Sequence, residues 1–314
     1  MIVIVAPGQG SQTPGFLAPW LEDSTVRERV GSWSEAIGVD LAAHGTTSDA
    51  DTIRDTALAQ PLIVAAGLVT ADALLADGRR SLVGGVAGHS VGEFTAAAVA
   101  GILQPTDAVA LVAERGRAMA DAAALEPTGM SAVLGGDQDA LPAALEAAGL
   151  VPANHNGGGQ TVAAGSLEAL AALSENPPAK TRVVPLSVAG AFHTRYMAPA
   201  VERMAPVAAA ATVTDPTLPI WTNADGSRVE GGRHFVDLMV QQIANPVHWD
   251  AVMASFAAAG VTGIIELAPS GALTGLAKRG LRGTPAVGVA TPDDLAAAIT
   301  MLRDSADADA AVTA

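Results

Sequence analysis

Residues Ser81–Leu103 read SLVGGVAGHSVGEFTAAAVAGIL: an apolar run, then the pentapeptide Gly88-His89-Ser90-Val91-Gly92, then an Ala-rich helical run. A G-x-S-x-G pattern in that context predicts a nucleophile elbow, a strand turning so sharply into a helix that the serine stands at the apex. Glycines are needed on either side because side chains there would collide across the turn. The first helical turn then presents backbone N–H groups beside the serine oxygen, where an oxyanion can be held.

The rest of the chain is consistent with an α/β fold. At 314 residues it is long enough for one large α/β domain, or for a large domain carrying a smaller one. It is 50% hydrophobic but only 3% aromatic, so the core must be built mainly from Ala, Val, Leu and Ile. Helices alternating with buried strands fit that usage. A net charge of -15 argues against nucleic acid or an anionic membrane as a main partner. The absence of cysteine removes disulfides, thiolate metal sites and a cysteine nucleophile, and a cytoplasmic protein is the simplest fit. The run Ile2 to Ala6 is too short for a signal-peptide core and lacks a basic lead. No stretch is expected to match the ~20 apolar residues of a membrane span.

Ile2-Val3-Ile4-Val5-Ala6, ended by Pro7-Gly8, predicts a buried parallel strand. The following loop, Gly8-Gln9-Gly10-Ser11-Gln12, has Thr13 where a dinucleotide-binding loop needs its third glycine, so a tight turn is expected instead. Helical spacing covers Trp20 to Gly38, Thr56 to Leu75 (opening near Gln60-Pro61) and Thr106 to Ala123. Asp49 and Asp51 lack the glycine and glutamate of a calcium loop. Arg115 and Arg117 lie on the third of these helices, where a surface ion pair is the usual fate of an arginine.

From Gly129 to Val188 the order becomes β-α-β-β-α-β. Strands are expected at Met130–Leu134, Val151–Asn154, Thr161–Ala164 and Arg182–Val188, and helices at Asp137–Ala148 and Ser166–Ser174. That is the ferredoxin-like split unit. The domain plan is therefore a large α/β-hydrolase-like domain with a parallel-sheet core, 1–127 and 190–314, carrying a small ferredoxin-like subdomain at 128–189. The loop Asn156-Gly157-Gly158-Gly159-Gln160 joins the subdomain's middle strands and is secondarily a wall of the site. Beyond it, helices are expected at Val201–Ala211, Gly232–Ile243 and Ala272–Arg279, and strands at Ile220–Asn223, Gly263–Leu267 and Ala286–Val289. The polar, acidic tail 304–314 is expected to be disordered.

A serine nucleophile needs a base, and the base needs a group that fixes its tautomer. Of six histidines, His193 at a segment junction is the best candidate. His89 should point away from its neighbour Ser90, and His44, His155, His234 and His248 fit structural or solvated roles. Asp107, Asp121 and Asp137 are available as a third member, but none stands in a recognisable turn.

Five motifs share the order and spacing found in malonyl-CoA:acyl carrier protein transacylases. They are Gly8-Gln9-Gly10-Ser11-Gln12, Gly88-His89-Ser90-Val91-Gly92, Glu114-Arg115-Gly116, Gly190-Ala191-Phe192-His193 and Gln242-Ile243-Ala244-Asn245-Pro246-Val247. The chain resembles that family up to about residue 303. The resemblance implies that Ser90 becomes malonylated, with His193 as general base and then acid. It implies an oxyanion hole from the N–H groups of Gln9 and Val91, and a carboxylate clamp at Arg115. It also implies that the backbone carbonyl of Gln242 orients His193, giving a dyad with no acid.

Phe192 and Val91 match the malonyl-selective type, a bulky ring at 192 crowding a branched acyl group. Asn156 is taken as a further substrate-binding residue. The resemblance further implies malonyl-CoA and holo acyl carrier protein as partners. No cofactor or metal is bound: the CoA thioester is substrate, and the phosphopantetheine belongs to the partner. A monomer is expected. Acidic carriers need a local basic cluster, for which Lys180, Arg182, Arg195, Lys278, Arg279 and Arg282 are candidates. A serine esterase or thioesterase with the same elbow, and a non-catalytic carrier-docking module, are the alternatives.

Overall fold

A computed structural model of the chain describes residues 1–313, with side chains as far as Asp307. Strands are numbered along the chain. β1 (Ile2–Ala6) and β2 (Val83–Gly88) precede a local group, β3 (Thr128–Gly135), β4 (Val151–Gly157), β5 (Gln160–Ser166) and β6 (Thr181–Pro185). After it come β7 (Ile220–Trp221), β8 (Arg228–Val229), β9 (Val247–His248), β10 (Gly263–Glu266) and β11 (Ala286–Gly288).

The first sheet runs β11-β10-β1-β2-β7-β8. All its pairs are parallel except β7 with β8 at one edge. In β1, Ile4 lies opposite Ile265 on one side and Val86 on the other. Successive side chains of a strand point to opposite faces. Ile2, Ile4 and Ala6 accordingly enter the larger core, while Val3 and Val5 pack with Trp221, Val252 and Phe256 on the other face. An unbroken apolar strand is what such double-sided burial demands.

The helix Thr56–Leu75 is almost wholly buried. Its start is set by Asp55, whose carboxylate accepts the Ala57 N–H at 2.8 Å, so it opens upstream of Gln60-Pro61 and holds Pro61 within it. By length and composition this helix would also suffice to cross a membrane, which corrects the expectation that no stretch reaches that mark. It serves here as core, packed beside the helices Gly92–Ala100 and Pro105–Ala123.

The second sheet runs β6-β3-β5-β4-β9. Its first four strands are antiparallel, and the helices Leu141–Ala147 and Leu167–Glu175 pack on it through Leu141, Leu145, Leu170 and Leu173. The fifth strand, β9, comes from outside residues 128–189 and pairs with β4 in parallel. The first of these helices begins later than expected because Asp137 turns the chain, accepting from the Asp139 and Ala140 N–H groups. The final helix runs Leu295–Thr313, and the disorder expected of the tail 304–314 falls mostly on residues outside those described with side chains. Buried Ala298 and Leu302 anchor that helix, and alanine has the highest helix propensity.

Candidate active site

β2 ends at Gly88 and the next helix begins at Gly92, so Ser90 occupies the turn between them. A Cβ on Gly88 would lie 2.0 Å from the Gly92 carbonyl carbon, and one on Gly92 would lie 2.2 Å from the Ala6 oxygen. Neither position admits any other residue without moving the turn. Ser90 itself has φ 51°, a left-handed conformation that a serine adopts only under constraint. Its N–H donates to Asn223 Oδ1 at 2.8 Å.

His193, also left-handed at φ 61°, reaches the serine from the segment after the second sheet. Its Nε2 lies 2.8 Å from Ser90 Oγ, and its Nδ1 lies 2.8 Å from the Gln242 carbonyl oxygen. A carbonyl can only accept, so Nδ1 carries the proton and Nε2 is free to take one from the serine. Burial pushes His193 down to about 3, and the charge of Arg115 adds to the effect. The imidazole is therefore neutral at pH 7 and able to accept a proton. None of Asp107, Asp121 and Asp137 lines the site, and Asp121 instead pairs with Arg203 at 2.6 Å.

Arg115 departs from the surface role expected of it. It is 1% exposed, whereas its neighbour Arg117 makes the surface pair, 3.5 Å from Glu114. Arg115 Nη1 donates to Gln60 Oε1 at 2.8 Å and Nη2 to Ser90 Oγ at 3.3 Å, while Nε is buried without a partner among the described residues. Burial lowers its pKa to about 10, against the pull of the Glu93 carboxyl. A buried guanidinium so placed can hold an anion, because its planar fork fits a carboxylate.

Ser90, His193 and Arg115 share one cavity of about 430 Å³, which Gln9, Val91 and Phe192 also line. One wall is formed by β4 and β5, through Asn154, Asn156, Gln160 and Val162. His89 turns away from the serine toward this wall, its Nε2 2.9 Å from Asn156 Oδ1, and Asn156 Nδ2 donates to Gln160 Oε1 at 2.9 Å. Burial lowers the His89 pKa. The remaining histidines are elsewhere: His44 bonds Ser48 at 3.0 Å, His155 and His248 stack at 4.8 Å, and His234 is exposed.

Of the six basic candidates, only Arg279 lines the cavity, and Lys278 precedes it near the end of the helix Ala272–Gly280, with Arg282 just beyond. Arg195 stacks on Tyr196 beside a separate depression, and Lys180 and Arg182 lie at the outer strand β6. Three further residues around the site had no assigned role in the sequence motifs: Gln60, Glu93 and Asn223. Each carried a signal, Gln60 and Glu93 as polar side chains within apolar helical runs, and Asn223 as a residue just past the C-terminal end of a parallel strand.

The chain is similar in sequence and in structure to known proteins. The acyl transferase domain family model matches residues 3–312. A curated relative from Mycobacterium tuberculosis strain H37Rv, malonyl CoA-acyl carrier protein transacylase, is 51% identical over 299 residues, covering 94% of this chain and 98% of the relative. A crystal structure of MCAT from Mycobacterium tuberculosis superposes with a TM-score of 0.92 at 50% identity, over 95% of this chain and 99% of that one. A structure of a type II PKS acyl-carrier protein in complex with its malonyl-transacylase matches with a TM-score of 0.90 at 28% identity, over 95% and 99% of the two chains.

Proposed function

This chain belongs to the malonyl-CoA:acyl carrier protein transacylases of the acyl transferase domain family, and on that premise we propose that it moves malonyl from CoA to a carrier-protein thiol through an acyl-Ser90 intermediate. The observation that carries this reading is the opening of Ser90, its neutral base His193 and the buried cation Arg115 into one cavity.

Malonyl-CoA enters with its free carboxylate on the Arg115 fork. His193 Nε2 takes the Ser90 proton as Oγ bonds to the thioester carbonyl carbon. The resulting oxyanion is held by the backbone N–H groups of Gln9 and Val91, at the turn after β1 and the start of the helix Gly92–Ala100. Collapse breaks the C–S bond, and the proton on Nε2 passes to the CoA sulfur. The carrier's phosphopantetheine thiol then runs the same steps in reverse: it gives its proton to His193, its sulfur bonds to the acyl carbon, the C–Oγ ester bond breaks as the intermediate collapses, and the proton returns to Ser90 Oγ. The activated thioester and the accepting thiol bring all the remaining chemistry, so no bound cofactor is required. The product is an extender unit for fatty acid or polyketide synthesis. The lack of cysteine suits a reducing compartment, and we place the enzyme in the cytoplasm. In this reading the four antiparallel strands with their two helices act as a ferredoxin-like subdomain whose Asn156 wall closes the substrate cavity.

A purified malonyl-enzyme divided between plain buffer and holo carrier protein should lose its malonyl group to the carrier thiol much faster than to water. Equal loss in both, with no malonyl on the carrier, would identify a hydrolase.

Phe192, 5% exposed, lines the cavity, and in this reading its ring crowds a branch on the acyl α-carbon. One methyl group in such a pocket is worth about 1–3 kcal/mol. Phe192→Ser should therefore raise the methylmalonyl-to-malonyl rate ratio by roughly 10-fold or more in a competition assay. An unchanged ratio would reduce Phe192 to packing.

For the carrier, the mouth is served by Arg279, with Lys278 and Arg282 close in sequence. Reversing these three charges should raise the KM for an acidic carrier and flatten its salt dependence. An unchanged KM across a salt series would remove them from the docking surface.

A further inference from the structure

The catalytic pair is one arc of a closed ring of hydrogen bonds whose other members the transfer steps do not use. Ser90 N–H donates to Asn223 Oδ1 at 2.8 Å, and Asn223 Nδ2 donates to the Gly88 carbonyl at 2.7 Å, so one amide grips both sides of the elbow. The Asn223 N–H donates to Glu93 Oε1 at 2.8 Å. The other carboxyl oxygen, Oε2, accepts from Gln242 Nε2. The Gln242 carbonyl accepts from His193 Nδ1, and His193 Nε2 returns to Ser90 Oγ, each at 2.8 Å. Four segments distant in sequence meet in this ring. Glu93, Asn223, Gln242 and His193 are all at most 4% exposed.

We propose that Glu93 is a positioning residue, the acid this dyad lacks, acting one step removed by holding the elbow and the histidine-bearing turn at a fixed separation. In a triad the acid bonds the imidazole directly. Here a backbone carbonyl does that, and a carbonyl is only as well placed as the turn carrying it. Glu93 ties that turn to the helix that begins at the elbow. The Asn223 N–H, the Gln242 amide and the Thr222 hydroxyl all hydrogen-bond its carboxyl, so no apolar side chain can replace it without leaving buried donors unpaired. Burial raises its pKa to about 8, against the Asn223 N–H, the Arg115 charge and the Gln242 amide. Retaining a carboxyl at that cost fits a role that geometry imposes.

The inference rests on the acyl-transfer reading for its role in the reaction, but its test does not depend on that reading. Two rates per folded enzyme are measured: malonylation by malonyl-CoA and sulfonylation by phenylmethanesulfonyl fluoride, a reagent that needs a poised serine and no malonyl pocket. Glu93→Met should slow both by about 10- to 100-fold, the usual size of loss when the outer partner of a catalytic group is removed, with the KM for malonyl-CoA unchanged or lower. Glu93→Gln, which keeps an acceptor for Asn223 while the Gln242 amide turns over, should recover most of the loss. Gln242→Met leaves the carbonyl on His193 and cuts only the side-chain link, so it should reproduce the defect, and the Glu93→Met/Gln242→Met pair should be no worse than the worse single variant. If Glu93→Met does not fold, Gln242→Met and Glu93→Gln carry the test alone. Sulfonylation within twofold of native in Gln242→Met, or additive losses in the pair, would overturn the proposal. Native enzyme that sulfonylates but does not malonylate would overturn the transfer reading while leaving this comparison intact.

Discussion

Arg115→Ala is expected to lower kcat/KM for malonyl-CoA by roughly a hundred- to several thousand-fold, the equivalent of about 3–5 kcal/mol for stripping one partner from a buried, hydrogen-bonded ion pair. Arg115 is buried, and its Nε has no partner among the described residues. An acetyl thioester offers it no anion, so its transfer is expected to be slow in the native enzyme and to fall little or rise in Arg115→Ala. Paired rate measurements with the two thioesters check this. Equal losses would mean that Arg115 serves only to hold Gln60 and the helix packing around it.

His193→Ala is the second large effect. Without a group to take the Ser90 proton, acylation should fall by about 10²–10⁴-fold. The native pH profile gives an independent check. His193 is held down to about 3, first by burial and then by the Arg115 charge. Below its pKa an imidazolium cannot accept a proton, so the acid limb of kcat/KM, which reports free enzyme, should lie well under pH 6. A bound malonyl carboxylate offsets the charge of Arg115 and relieves one cause of the depression. The acid limb of kcat, which reports the loaded enzyme, should consequently lie at higher pH than that of kcat/KM. A half-point near 6.5 in kcat/KM would contradict the burial that the structure gives this ring.

How much of this was legible in the sequence depended on how local each feature is. The elbow was fully legible, because the collisions that demand Gly88 and Gly92 arise within a single turn and with the adjacent strand end. The β-α-β-β-α-β order was legible for the same reason, each element declaring itself through its own periodicity. The addition of β9 to that sheet was not, since two residues pairing across a long sequence separation leave no periodic trace. Arg115 and Arg117 looked alike on one helix, and only the packing of that helix against Thr56–Leu75 separates a buried clamp from a surface ion pair. Resemblance to a family supplied the Gln242 carbonyl, which no side-chain search for an acid could have found. It did not supply Asn223 or Glu93, whose importance lies in bonds between segments more than a hundred residues apart in the chain. The depressed pKa of His193 was likewise invisible, arising from tertiary burial of the ring and the nearby Arg115 charge.

The most direct test is the intact mass of the enzyme before and after malonyl-CoA, and again after holo acyl carrier protein is added. Native protein should gain one malonyl group and then lose it to the carrier, while Ser90→Ala should gain none. An adduct of equal yield on Ser90→Ala, or CoA released by native protein with no adduct and no malonyl on the carrier, would contradict an acyl-Ser90 transferase.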